Sequence, residues 1–393
     1  MNIEGISSPD NKDKIAIVVI GYNRLQSIQR LLKSLLVADY PNNDIPLVIS
    51  IDCSGNEQLY NYVRNFKWPF GDKYVNIQES RLGLKKHIFQ CADLTEYFRA
   101  VILLEDDLFL SPSFYHYAVN AVDKYGSDDR IAEIALYLNV DNGYAGFPFE
   151  PMQNGADVFL WQDVCTSGEV LTKSMWEKFN KWQKDVCTDS VIQNTDMPSQ
   201  IKGWARAWSK PYNSYVVSTN RHIVYPHVAV STNFGDAGEH SETSTVITQV
   251  GLMHGCKEYH MPDVSELVAY DLYTNNESLY EWLSLDKDNL CLDIYGQGRN
   301  LNGRRFLLSP KKLPYKIIRS FGLSMRPIEM NVKYNISGNG IFLYDTQTSV
   351  KCKKAAAYPF TFLRFYFNTV GLHHIWRYAL LTFIKAIKRK LGK

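Results

Sequence analysis

The sequence predicts an α/β fold, a mostly parallel central sheet flanked by helices, followed by a C-terminal extension. Three observations carry this expectation. Short β-branched apolar runs alternate with helical stretches between residues 14 and 104. The runs are apolar throughout rather than alternating, as strands covered on both faces are. The composition, 45% hydrophobic, 21% charged and 13% aromatic over 393 residues, belongs to a folded protein with a sizeable core. It excludes a disordered or fibrous chain and a small disulfide or metal scaffold.

The elements follow in order. KIAIVVI (14–20) reads as a buried strand ending at Gly21, Tyr22 and Asn23. In SIQRLLKSLLVA (27–38), Leu31, Leu32, Leu35 and Leu36 share a helical face and Ser27 is the expected cap. After Pro46, LVISID (47–52) is a second strand, closed by Asp52. Residues 57–66 read as a helix, VNIQES (75–80) as a third strand and LKKHIFQCADLTEYF (84–98) as a helix. AVILL (100–104) is a fourth strand that runs straight into Glu105, Asp106 and Asp107. Farther on, ESLYEWLSL (277–285) is helical and GQGRNLNGRR (296–305) is a Gly-rich loop.

In open sheets of this kind ligands lie beyond the carboxyl ends of the strands. Gly21–Arg24, Asp52 and Glu105–Asp107 all fall at that edge, so three strand ends form one candidate site. GYNRL after the first strand is neither GxGxxG nor GxxxxGK[ST], which disfavours a dinucleotide site or a P-loop. Three consecutive carboxylates behind an apolar strand repel one another and lose solvation unless a cation or several donors compensate. A hard divalent ion that shares its shell with phosphate oxygens and water meets that need. An acidic loop leading to the helix start at Ser111-Pro112-Ser113 meets it too.

The formal net charge of +2 conceals an imbalance. Residues 311–393 hold 16 Lys and Arg against Glu329 and Asp345, whereas residues 1–310 hold 27 basic and 39 acidic side chains. A basic segment of this kind points to phosphate, on nucleic acid or on a membrane. In WRYALLTFIKAIKRKLGK (376–393), Trp376, Leu380, Phe383, Ile384, Ile387 and Leu391 fall on one face and basic residues on the other, the pattern of a helix lying in an anionic membrane interface. A helix packed on the rest of the chain with solvated lysines is the alternative. No recognition fold accompanies the charge, so no nucleic acid is expected. The polar opening MNIEGISSPDNKDK and seven scattered cysteines without a CxxC pair predict a cytoplasmic chain with mostly buried thiols, and the amphipathic 376–393 helix predicts peripheral association with the inner face of the membrane.

The order IVVIGYNR (17–24), VISIDCS (48–54), KKHIFQCA (85–92), ILLEDDLFLSPSFYHY (102–117), LYLNVDNG (136–143), GWARAW (203–208) and VAVSTNFGDAGEHS (228–241) resembles the GT-A glycosyltransferases, in particular the N-acetylglucosaminyltransferase I type and related bacterial sugar transferases. The resemblance covers residues 14–250. It implies a GT-A nucleotide-diphospho-sugar transferase domain over 1–250, with a nucleotide-sugar half at about 14–110 and an acceptor half at about 111–250. An accessory segment, 251–330, and a basic aromatic region, 331–393, would follow.

The resemblance implies that Asp107 ligates Mn²⁺ or Mg²⁺ bridging the donor diphosphate, with Glu105 and Asp106 orienting the ribose and the metal's water shell. Asp52 would contact uracil and Arg24 would lie beside the nucleotide. His87 falls at a nucleotide-contacting position, although beside Lys85 and Lys86 it reads equally as a solvated helix residue. Gly235 and Gly238 lie in the loop 233–240, which corresponds to a segment that closes over the nucleotide sugar. His240 would be either a metal ligand or a solvated hinge residue.

The implied reaction moves a sugar, N-acetylglucosamine or another hexose, from a UDP-sugar to a hydroxyl of a glycan or lipid-linked glycan in surface polysaccharide assembly. One position departs from the pattern. The expected catalytic aspartate, two residues before Trp204, is Lys202, and a protonated lysine accepts no proton. Glu169 and Asp196 are the preferred candidate bases, ahead of Asp163 and Glu239. The departure also opens the alternative of a catalytically silent relative that binds nucleotide sugar or glycan as a scaffold. A nucleotidyltransferase is ranked last, for want of a Gly-rich triphosphate loop.

Overall fold

The computed structural model describes residues 5–205, 207–238, 244–351, 358–368 and 370–390, the last three without their side chains. The chain divides into two units, Met1–Val140 with Pro151–Glu277, and Asp141–Glu150 with Ser278–Lys393.

The first unit opens with β1 (Ile15–Gly21), whose residues are all buried. Helix α1 (Leu25–Leu36) buries Ile28, Leu31, Leu32 and Leu35, the i, i+3, i+4, i+7 stripe of an amphipathic helix. Truncating one of these leucines to alanine costs about 2–5 kcal/mol. The helix starts at Leu25, so Ser27 lies inside it and does not cap it. The Ser27 hydroxyl instead donates to Asp236 at 2.7 Å. After β2 (Leu47–Ile51) comes α2 (Glu57–Asn65), capped by the Asn56 side chain, which accepts from the Leu59 amide at 3.1 Å.

Strand β3 (Lys73–Ile77) begins earlier than the sequence predicts, and α3 (Leu84–Ala92) ends earlier, passing into a 3₁₀ turn at Asp93–Glu96. Then come β4 (Ala100–Glu105), β5 (Leu108–Leu110), α4 (Phe114–Tyr125) and β6 (Ile131–Ala135). The hairpin β7 (Asp141–Asn142) and β8 (Phe147–Pro148) belongs to the second unit.

The first unit continues with β9 (Val158–Trp161), β10 (Glu169–Thr172), α5 (Lys173–Asp185), α6 (Asp189–Asn194), α7 (Ser199–Gly203) and α8 (Ser209–Ser218). It closes with β11 (His222–Pro226), β12 (Ser231–Asn233) and β13 (Ala269–Tyr270), so residues 251–277 supply an edge of its sheet.

The nine-stranded sheet has the order β13-β9-β11-β6-β10-β4-β1-β2-β3. The block β4-β1-β2-β3 is parallel throughout, whereas β10 runs antiparallel to both β4 and β6 and β9 antiparallel to β11. The main core fills the space between this sheet and its helices, with Ile17, Val19, Ile49, Ile102 and Leu104 fully buried.

In the second unit a four-stranded sheet has the order β14 (Leu290–Leu292), β15 (Phe306–Ser309), β17 (Ile341–Ser349), β16 (Tyr315–Phe321). Helices α9 (Ser278–Leu283), α10 (Met330–Lys333), α11 (Phe360–Phe367) and α12 (Leu372–Lys390) accompany it. Among the described residues no helix is long and apolar enough to cross a membrane. Of the described cysteines only Cys91, Cys165 and Cys291 are buried, and Cys256 is exposed. The expectation of mostly buried thiols therefore fails for half of them.

Candidate functional site

Strand register builds the site. Ile20 of β1 faces Glu105 of β4, and Gly21 faces Ile51 of β2, so the three strands end level with one another. Arg24, Asp52 and Glu105–Asp107, distant in sequence, thereby line one cleft of about 700 Å³. Gly21 packs closely at this edge: a Cβ there would come within 2.8 Å of Ile28 Cδ1, so the Ile28 side chain would have to shift.

The carboxylates are unequal. The Arg24 guanidinium hydrogen-bonds Asp106 and approaches Asp107 Oδ2 to 3.2 Å. Burial works against the Arg24 charge, but Asp106 and Asp107 outweigh it and hold its pKa above the ordinary value. Burial, then the charges of Asp107 and Asp106, push Glu105 up to about 8, with Arg24 opposing. Burial pushes Asp106 up to about 6 against the pull of Arg24. Asp107 Oδ1 is buried and has no hydrogen-bond partner.

A carboxylate oxygen removed from water without a partner is costly, and a cation or a ligand donor relieves that cost. The oxygen donor set therefore fits a hard divalent ion. Among the described residues no group of three His, Cys, Asp or Glu side chains is arranged to hold a metal on its own. An ion here would rely on one or two carboxylates and take the rest of its shell from ligand phosphate and water.

Asp52 accepts three backbone amides, Cys53 and Leu82 at 2.8 Å on Oδ1 and Gly83 at 2.9 Å on Oδ2. It fixes the turn that starts α3, where Gly83 has φ +76°. His87 is 2% exposed, and its Nε2 lies 2.7 Å from Ser50 Oγ. The solvated alternative for His87 is thus corrected: α3 turns Lys85 and Lys86 outward and His87 inward. Burial lowers its pKa despite nearby Asp52, so the ring is neutral at pH 7.

Opposite the acidic strand end stands the loop that follows β12. β12 pairs antiparallel with β5, and the Phe234 amide donates to the Asp107 carbonyl at 2.9 Å. Gly235 has φ +57°, and a Cβ there would meet the Thr245 carbonyl at 2.5 Å, so only glycine fits. Gly238 lies against Arg24, with 3.3 Å from an ideal Cβ to Nη1. Asp236 is bound by Ser27 and Arg30 of α1, while Arg24 Nη1 donates to its carbonyl at 3.2 Å. Arg30 also covers the Phe234 ring at 3.8 Å from the centroid. Glu239 and His240 lie outside the described residues.

Neither preferred base candidate lines the cleft. Glu169 is 3% exposed on β10, opposite Leu103 of β4 and Ala135 of β6. Strand alternation puts it on the same sheet face as Glu105 and Glu133. Burial, then the charges of Glu133 and Glu105, push its pKa well above the carboxylate range. Asp196 follows α6 and is half-buried, and Asp163 too lies away from the cleft lining. Lys202 donates from Nζ to the Gln193 carbonyl at 2.7 Å. Trp161, Trp176, Trp182 and Trp208 are buried, and Trp204 is 37% exposed.

Arg81, Asp236, Thr245 and Thr248 line the cleft and carry no assignment from the sequence. The Arg81 guanidinium lies 5.0 Å from the Tyr22 ring centroid. Asp236 sits within the quoted glycine-containing segment, whereas nothing in the local sequence marks Arg81.

No family model and no curated protein matches the chain. Solved structures similar to it include S. aureus TarS 1–349 in complex with UDP-GlcNAc, at 15% identity over 58% of this chain and 60% of that one, TM-score 0.38. GalNAc-T7 with UDP, GalNAc and Mn²⁺ has 11% identity over 56% and 43%, TM-score 0.36. The mannosyltransferase PcManGT from Pyrobaculum calidifontis, in complex with GDP-Man and Mn²⁺, has 10% identity over 50% and 56%, TM-score 0.32. The chain spans less than two thirds of the length of each of these neighbours.

Proposed function

We propose that the protein is a metal-dependent glycosyltransferase of GT-A type that moves a hexose or N-acetylhexosamine from a UDP-sugar to a hydroxyl of a glycan or lipid-linked glycan. The observation that carries this reading is the buried, unpartnered Oδ1 of Asp107, at the carboxyl edge of a parallel sheet and facing a cleft large enough for a nucleotide sugar. The ordered sequence motifs around that edge point the same way. Asp107, with Asp106 beside it, would hold Mn²⁺ or Mg²⁺, which when bound offsets negative charge on a leaving diphosphate.

The chain's own residues supply the rest. Arg24 is a fixed cation beside the carboxylates, suited to diphosphate oxygens. Asp52 orders the Leu82–Gly83 turn, and residues of the loop 233–238 line one wall of the cleft. An acceptor carried on lipid, met at the cytoplasmic face of a membrane during surface polysaccharide assembly, is part of the same reading.

A second reading, a silent relative that binds nucleotide sugar or glycan as a scaffold, is favoured by one observation. Lys202 takes the place of the expected aspartate, and neither Glu169 nor Asp196 lines the cleft. A thermal-shift screen of nucleotide sugars with and without Mn²⁺, followed by UDP-sugar hydrolysis, separates the readings. Metal-dependent stabilisation with turnover, both lost in Asp107→Ala, is the transferase outcome; stabilisation without turnover is the scaffold outcome. Absence of any nucleotide-sugar response would sink the transferase reading and leave only a glycan-binding scaffold.

A further inference from the structure

We propose that α11 and α12 together form a docking surface for an anionic lipid bilayer, with α11 as its anchored base and α12 as its inserting arm. The inference rests on these two helices alone and is independent of the transferase reading, since vesicle binding requires no nucleotide.

The two faces of α11 differ. Phe362 and Tyr366 are buried in an aromatic cluster, with ring centroids 5.1 Å and 4.9 Å from Phe147, and Tyr358 stacks on Phe362 at 5.0 Å. Arg326 covers the Phe365 ring at 4.5 Å and also bonds its carbonyl. These contacts fix the helix to the second unit. Its other side presents Phe360, Leu363 and Phe367, which are 78%, 38% and 42% exposed, with Arg364 among them.

Beyond α11 every residue from 370 to 387 is exposed. On α12 the residues Leu372, Trp376, Leu380, Phe383 and Ile387 recur at helical spacing and form one apolar stripe. Trp376 is 74% exposed and Phe383 64%, so no described residue covers the stripe. Arg377 and Lys385 stand off it. Residues 372–387 therefore do not adopt the packed-helix alternative. Large contiguous apolar faces are seldom left in water.

Charge selects the occupant. Residues 346–393 contain ten Lys or Arg and no Asp or Glu. A second copy meeting this face would bring like charge against like charge, with no carboxylate to pair. An anionic bilayer supplies both missing partners, acyl chains for the aromatic stripe and phosphate for the cations, whose stems can reach the headgroups while the rings insert.

The test uses the full chain and vesicles of phosphatidylcholine alone or rich in phosphatidylglycerol. Co-flotation with the anionic vesicles only, reversed at high salt as screening shortens, is the expected result. Lys385→Glu should weaken partitioning at least ~5-fold, since one basic residue near the surface is worth about that factor. The set Phe360→Ser, Trp376→Ser and Phe383→Ser should abolish it. These positions are exposed, and an unchanged unfolding midpoint will show that the fold is kept. The proposal is overturned by failure to bind anionic vesicles, by binding that ignores these substitutions, or by a stable oligomer that the same substitutions dissolve.

Discussion

Arg30 and Asp236, 206 positions apart, form an ion pair that ties α1 to the loop walling the cleft. Burial opposes the Asp236 charge, but Arg30 and then Ser27 outweigh it and hold its pKa below the ordinary value. Both partners are only about a quarter exposed, so the pair is worth about 1 kcal/mol or somewhat more. Asp236→Asn should leave the fold intact, raise hydrogen exchange over residues 233–238 and weaken UDP binding about 3–10-fold. The double exchange Arg30→Asp with Asp236→Arg should recover part of that loss. Unchanged exchange in the single variant would show that the pair does not hold the loop.

Arg24 is the counter-ion of Asp106 and Asp107. Arg24→Met leaves those carboxylates facing each other in a buried place and should lower stability by about 2–4 kcal/mol. Mn²⁺ alone should then raise the melting temperature of the variant more than that of the wild type, because the ion replaces the lost cation. Equal shifts in a thermal melt would count against a shared cation position.

Asp52 serves the backbone. Asp52→Ala removes the acceptor of the Leu82 and Gly83 amides and should cost about 1–3 kcal/mol. Exchange at those two amides should accelerate and UDP affinity should fall with it. If affinity falls while both amides stay protected, Asp52 contacts the ligand and its structural part is small.

Glu133 Oε1 accepts from the Cys165 amide at 3.2 Å, while its Oε2 is buried without a partner. Burial raises its pKa well above the usual 4.5, so the folded protein holds a proton that the unfolded chain releases. Stability from this group is full below pH 4.5 and is lost as pH rises towards the folded pKa. Glu133→Gln should therefore flatten the decline of unfolding free energy as the pH rises above 4.5. Denaturant titrations at a series of pH values check this, and parallel curves for the two proteins would refute it.

The sequence made some of this legible and left the rest hidden for physical reasons. Strands β1, β2 and β4 are continuous apolar runs, and buried parallel strands leave that local signature. Their ends could therefore be grouped before any coordinates. The antiparallel β9 and β10 are four-residue segments whose partners lie far along the chain, so no local pattern marks them. Glu169 consequently read as a candidate base, whereas it is a buried strand residue whose neighbours across the sheet are Leu103 and Ala135. Lys85 and Lys86 masked the inward turn of His87, and the helix start at Leu25 moved Ser27 from a cap to a partner of Asp236. The Asp236 clamp is a tertiary contact, invisible to spacing along the chain.

The place of β10 in the middle of the sheet bears on synthesis. One edge of β4 is satisfied by β1, made long before it, but the other waits for Glu169–Thr172. At about 5–20 residues per second, residues 106–168 take ~3–13 s to emerge. Throughout that interval Ala100–Leu103 shows an unpaired, uncharged strand edge to whatever is near the ribosome. Changes that lengthen the 106–168 segment prolong that wait and are expected to surface as aggregation during expression.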